Sequence, residues 1–246
     1  MNLAEIPPDA FKRWEGTVAF RLFAERADRT MSVTEQIAVR LSDRILDGSM
    51  PPGQHLAEQE IADEFGVSRG PVRDAIRILE REGLVTMFPR RGTIVTELSN
   101  EELLEIFEIR AALISLVARK CAQENNQELI DAMRAGLAQL ESLAENPDDG
   151  GAYAETVYRL LLIKAKFCGN RRLHALLTAL SLQTLRYFKI GLQSLERRRK
   201  SVEHWRQSVE ALQAGDVDEM ERVMRVAMDD SSQAISRTFT ANATSV

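Results

Sequence analysis

The stretch FGVSRGPVRDAIRILEREGLV, residues 65–85, sets Arg69, Arg73, Arg77 and Arg81 at intervals of four. That spacing puts them about one turn apart on a single face of a helix. The chain around them carries a formal net charge of -5, so a basic stripe on one short helix has a local cause. Either it is a solvated face paired with local acids such as Asp74, Glu80 and Glu82, or it meets something anionic.

The flanking sequence narrows the choice. Ser68 stands where a helix cap belongs, and Pro71 falls in the first turn, where its missing N–H costs nothing. Upstream, VTEQIAVRLSDRILDG places Ile37, Leu41, Ile45 and Leu46 on one face and stops at Gly48, which reads as an amphipathic helix. The segment PPG at residues 51–53 is a turn signal, and a short helix over residues 58–65 ends at Gly66, as a left-handed cap requires. Downstream, LVTMF and TIVTE flank Pro89-Arg90-Arg91-Gly92, the pattern of a β-hairpin. Helix, helix, turn, helix and hairpin make a winged helix-turn-helix, whose second motif helix enters the major groove with its N-terminal residues at the base edges.

Arginine suits that position because its planar fork can bond guanine O6 and N7 together. Open N–H groups at the helix start can hold a phosphate. The expected DNA-facing set is therefore Ser68, Arg69, Gly70, Arg73, Arg90, Arg91 and Gly92. Arg77 and Arg81, deeper in the helix, are expected to pair with neighbouring acids in solvent.

After Ser99 the grammar changes to long helical periods alone. Ser99-x-x-Glu102 has capping-box spacing and opens a helix to about residue 123. Further helices are predicted at 126–145, 152–168, 171–194, 197–213 and 217–238. No fixed-period repeat appears, which favours an antiparallel bundle over a solenoid. The predicted fold is mainly α: an N-terminal winged helix-turn-helix with a small β-hairpin, then an all-α antiparallel bundle. The apolar share is 44% and the charged share 28%, as in ordinary globular proteins. No apolar run is long enough to span a bilayer, and the first residues lack a secretory signal's pattern. A cytoplasmic protein is expected. Cys121 and Cys168 are far apart and read as buried hydrophobes rather than a disulfide.

RILDGSMPPGQHLAEQEIADEFGVSRGPVRDAIRILEREGLV, followed by PRRGTIV, closely resembles the DNA-binding domain of the GntR superfamily of bacterial transcription factors. The resemblance implies operator contacts at Arg69, at Arg73 and at the wing tip around Arg91 and Gly92. Gln59 stands where some members carry a DNA-contacting arginine. EIRAALISLVARKCA, the CGN turn and ALQAGDVDEM resemble landmarks of the FCD-type effector domain of the FadR subfamily.

Most such domains are marked by an Asp, a His four residues later and two further histidines, which together hold a metal. Counted back from Asn170, the resemblance puts Val157 and Leu161 at the first two positions. The last falls near Ala227 and the remaining one at His204 or Trp205. The only histidines are His55, His174 and His204, so a three-histidine site in this half is impossible, and neither metal nor cofactor is expected. In its place Val157, Leu161 and Trp205, with Tyr153, Tyr187, Arg110 and His204 nearby, form either a filled core or a cavity for an organic effector. The metal-free regulator FadR, which binds an acyl-CoA, makes an acyl or aromatic effector the expectation, its polar end held by Arg110 or Tyr187.

The resulting reading is a regulator with a DNA-binding domain at 32–98 and a helical effector-binding and dimerisation domain at 99–240. Its expected partners are a double-stranded DNA operator, a small-molecule effector and a second copy in a homodimer, with no membrane. The alternative is a ligand-independent DNA-binding dimer in which the helical half is a scaffold. An enzyme is disfavoured, because P-loop, HExxH and G-x-S-x-G motifs are missing. Residues 1–31 form an extension of unassigned role. Phe11, Trp14, Val18 and Leu22 share roughly one helical face there, unless translation starts at Met31.

Overall fold

The computed structural model describes residues 31–243. The helical face expected around Phe11, Trp14, Val18 and Leu22 lies outside them. The described chain divides after Ser99 into two compact units.

In the first unit, α1 (Val33–Asp47) opens with a full capping box. Glu35 N donates to the Ser32 hydroxyl, and the Glu35 carboxylate takes the Ser32 N–H. Gly48, at φ 88°, ends it. β1 (His55–Leu56) precedes α2 (Glu58–Phe65), which ends at the left-handed Gly66. α3 (Arg69–Arg81) buries Val72, Ala75, Ile76 and Leu79, a 3–4 spacing that turns one face inward and leaves the arginines outside. That face packs on α1, where Ile37, Leu41 and Ile45 are fully buried. β2 (Val85–Phe88) and β3 (Gly92–Val95) form the expected hairpin, registered Val85 opposite Val95 and Phe88 opposite Gly92. The sheet has a third member that the sequence did not announce. β1 pairs antiparallel with β3, His55 opposite Ile94, giving the order β1-β3-β2.

The second unit is all helix among the described residues: α4 (Asn100–Glu124), α5 (Gln127–Ala144), α6 (Gly150–Phe167), α7 (Arg171–Gly191), α8 (Leu195–Ala214) and α9 (Val217–Ala243). A 3-10 turn, Pro147–Asp149, leads into α6. Asn126, Asn170 and Ser194 each accept a backbone N–H at the start of their helices. α4 packs on α9 and α7, α6 on α5 and α7, and α8 on α5 and α9. One close approach needs a glycine. A Cβ at Gly136 of α5 would lie 2.2 Å from Leu160 Cδ2 of α6.

Candidate nucleic-acid interface and interior cavity

The sequence folds so that α3 presents its N-terminal end with Ser68, Arg69, Gly70 and Arg73 all exposed. Ser68 occupies the cap position, but its side chain makes no cap hydrogen bond. The expected hydroxyl cap is therefore absent, and the first N–H groups of α3 are not covered by it. Arg69 and Arg73 converge on one carboxylate, Glu58 at the start of α2. Arg69 Nη2 donates to Glu58 at 3.1 Å, and Arg73 donates from Nε and Nη2 at 3.1 and 2.9 Å. The Arg73 hydrogen bond is the main reason the Glu58 carboxyl lies below its ordinary 4.5. The two arginine side chains nonetheless keep 58% and 48% of their surface exposed. Glu58 thus orients the guanidiniums without covering them.

Arg77 pairs with Asp74 at 3.5 Å and Arg81 with Glu82 at 3.3 Å, so the deeper arginines spend their charge locally. Gln59 donates to Asp63 at 2.8 Å. At the hairpin tip, Arg90 takes φ 64° and Gly92 φ 86°, and the Arg91 N–H closes the turn on Phe88 O at 3.1 Å. An arginine in the left-handed region is strained by roughly 1–2 kcal/mol. Arg90 and Arg91 both stand exposed at this tip.

In the helical unit, the residues counted from the Gly169-Asn170 turn meet around one cavity. Val157 and Leu161 come from α6, Phe188 from α7, Arg197, Ser201, His204 and Trp205 from α8, and Met224, Ala227, Met228 and Ser231 from α9. Val157, Leu161, Ala227 and Trp205 offer no metal donor and leave only the His204 imidazole. Among the described residues no three His, Cys, Asp or Glu side chains gather to hold a metal. The donor set does not fit one. His204 faces Asp230, Nε2 to Oδ2 at 3.4 Å, too far out of line for a hydrogen bond. Burial holds its pKa below 6.5, with Asp230 opposing.

Arg110, Tyr153 and Tyr187, expected as neighbours, lie off this lining. Arg110 is buried elsewhere. Its Nη1 donates to Thr184 Oγ1 at 2.9 Å and its guanidinium stacks 4.9 Å from the Phe107 ring centre, while burial pulls its pKa down to about 10. The Tyr153 hydroxyl donates to Arg198 O at 3.2 Å, and burial raises its pKa to about 12. The Tyr187 ring lies against Arg186 at 5.2 Å.

The charged group in the cavity is Arg197. Nη2 donates to the Ser231 hydroxyl at 3.0 Å, whereas Nε and Nη1 are buried with no hydrogen-bond partner. Burial is the first cause that lowers its pKa, with Asp230 opposing. Arg197 escaped the sequence reading because it opens the run Arg197-Arg198-Arg199-Lys200, which reads as a solvated face. A helical count from Trp205 was the available signal, since residues 197, 201, 204 and 208 share one side.

The family described as bacterial regulatory proteins, gntR family, matches residues 33–95, and the FCD domain matches residues 105–230. The HTH-type transcriptional regulator YdhC of Bacillus subtilis is 30% identical over 138 residues, covering 56% of this chain and 62% of that protein. The gluconate operon transcriptional repressor of Bacillus licheniformis is 32% identical over 109 residues, covering 44% of each chain. The matched segments thus span under two thirds of these relatives. The solved structure of Escherichia coli McbR/YncC superposes with a TM-score of 0.72 at 21% identity, covering 85% of this chain and all of that one. That likeness is one of fold.

Proposed function

Because the chain belongs to the GntR family of bacterial regulatory proteins and joins its winged helix to an FCD domain, we propose that this DNA-binding transcriptional regulator senses an organic acid in the cavity of its helical unit. Arg197 carries the reading. A guanidinium with two buried, unpartnered N–H groups is costly by itself, and an anion that accepts from them relieves that cost. Around it, Val157, Leu161, Phe188, Met224 and Met228 suit an apolar body. Arg197, rather than Arg110 or Tyr187, takes the polar end.

The cavity measures about 30 Å³, room for about two waters, whereas an engineered cavity that binds benzene has about 150 Å³. An acyl or aromatic body therefore enters only if the wall yields. Met224 and Met228 are suited to yield, since methionine is unbranched and repacks readily. A compact acid needs the least opening.

On the DNA side, the proposal assigns Arg69 and Arg73 to base edges and Ser68 and Gly70 to a phosphate. Arg90, Arg91 and Gly92 are assigned to the backbone beside the groove. A two-fold dimer would set two α3 helices on a pseudo-palindromic operator. The test is a thermal-shift series with organic acids on the full chain, paired with retention of genomic fragments that the protein itself pulls down. Acids should raise Tm and alter DNA retention, and Arg197→Gln should remove both effects. Unchanged Tm and unchanged retention across the series would identify the helical unit as a scaffold.

A further inference from the structure

Behind the cavity wall lies a second basic side chain that the single-anchor site does not use. Lys164 of α6 is 1% exposed. Its ammonium donates to Ser208 Oγ at 2.6 Å, meets Met224 Sδ at 3.5 Å and sits 4.4 Å from the centre of the Trp205 ring. Among the described residues no carboxylate pairs with it. Its one oxygen acceptor is a hydroxyl, and the remaining contacts are a thioether and an aromatic face. A buried amine so poorly matched is expensive to keep, which calls for a reason beyond packing.

The geometry of the three helices supplies one. Val157, Leu161 and Lys164 are spaced to share one face of α6, as Arg197, Ser201, Trp205 and Ser208 share one face of α8. Met224 and Trp205 line the cavity and also touch Lys164. The amine therefore borders the cavity through a rotatable thioether and one aromatic ring, whose face it meets. Ser231, which holds Arg197, and Met224, which touches Lys164, are seven residues apart on α9. That is roughly 10 Å along the helix axis. Two basic heads whose contacts on α9 are that far apart, with apolar walls between them, leave after one charge-assisted contact of about 2.8 Å at each end a span on the order of 5 Å.

We propose that Lys164 is the inner anchor of this cavity, so that the sensed molecule is a short dicarboxylate of four to six carbons, gripped by Arg197 at one end and Lys164 at the other. This rests on the organic-acid reading of the same cavity and goes beyond it in fixing a second head group. Entry requires Met224 to rotate aside, which joins the amine's niche to the small existing cavity and makes the room that a diacid needs. The Lys164 amine, which burial pushes toward its neutral form, then holds its proton against a full counter-charge in place of a hydroxyl and a thioether.

The experiment is calorimetric titration of the full chain with glutarate and with pentanoate, which has the same length but a methyl in place of one carboxylate. Succinate and adipate bracket the length. The wild type should bind at least one of the three diacids tenfold or more tightly than pentanoate. Lys164→Met, which keeps the volume and suits the apolar surroundings, should erase that preference, with pentanoate bound at least as tightly as by the wild type because its methyl end then meets a thioether in place of an amine. Arg197→Gln should weaken both classes. Equal binding of mono- and diacids by the wild type, or a preference that survives Lys164→Met, overturns the two-anchor proposal and leaves the single-anchor reading standing. No binding of any acid overturns both.

Discussion

Two arginines held by one glutamate give the first residue-scale consequences. Arg73→Ala should cost on the order of 1–3 kcal/mol of operator binding if it reads a base, whereas Arg91→Ala should weaken binding to all sequences about equally and reduce the salt slope by about 1. Salt titrations of fluorescence anisotropy on operator and random duplexes separate the two, and unchanged affinity in both variants would remove the groove assignment. Glu58→Gln tests the orienting role. The arginine ends of its ion pairs are about half exposed, so folding stability should change by about 1 kcal/mol or less. Removing an acid beside the DNA face should strengthen binding to random duplex, while freeing Arg69 and Arg73 should lower the operator-to-random ratio. A variant that keeps the wild-type ratio would show that Glu58 merely neutralises the stripe.

Residue legibility follows the same physics. Val157, Leu161 and the His204-Trp205 pair were traceable through the resemblance to FCD domains, in which the Gly169-Asn170 turn set the register of the first two. Lys164 was not, since it interrupts the apolar run LLLIKAKF, where a lysine ordinarily snorkels to solvent. Nothing in the sequence says that α6 is covered at that position.

At the scale of elements, the helices were legible because their apolar period and their Gly or Asn caps agree. The capping box at Ser32 and Glu35 has the Ser-x-x-Glu spacing that marks a helix start in sequence. β1 was not legible, because a two-residue strand has no alternation to detect and exists only through its partner β3. α6 starts earlier than predicted because the 3-10 turn capped by Asn146 runs straight into it. The tight packing of α5 on α6 was also hidden, since Gly136 looks like a defect in a helical pattern. It is instead the point of contact. Gly136→Ala should gain about 1 kcal/mol of helix propensity, yet its methyl would stand 2.2 Å from Leu160 Cδ2, and Leu160 is fully buried. Overpacking of this kind costs about 1–3 kcal/mol. Urea denaturation should show a net loss, and a gain would mean that Leu160 repacks freely.

For the molecule as a whole, the division into a winged helix and a helical bundle was visible as a change of sequence grammar after Ser99, and a count of histidines already left too few in the helical half for a three-histidine site. Since the cavity's donors do not fit a metal, prolonged chelation should leave Tm and DNA affinity unchanged. A Tm that falls on chelation and returns with Zn or Ni would mean that ligands gather from somewhere other than this cavity.

The dependence of stability on pH draws on the same interior. Burial moves the Lys164 pKa from 10.5 to about 7. Between those values the unfolded chain holds a proton that the native chain has released, so stability must rise with pH from about 7 upward, by about 1.4 kcal/mol per pH unit at most. Below 7 the burial cost is fully present and constant. Two other groups limit the window. His204, held below 6.5 by burial, makes stability fall as pH drops through that region. Cys121, which burial raises from 9.0 to about 12, makes stability fall as pH climbs past 9. The contribution of Lys164 is therefore cleanest between pH 7 and 8.5. Urea midpoints measured across that interval should rise in the wild type and stay level in Lys164→Met, with the variant the more stable at pH 7. Parallel pH profiles for the two proteins would mean that the native amine titrates as an ordinary lysine. The niche formed by Ser208, Met224 and Trp205 would then be better solvated than its burial implies.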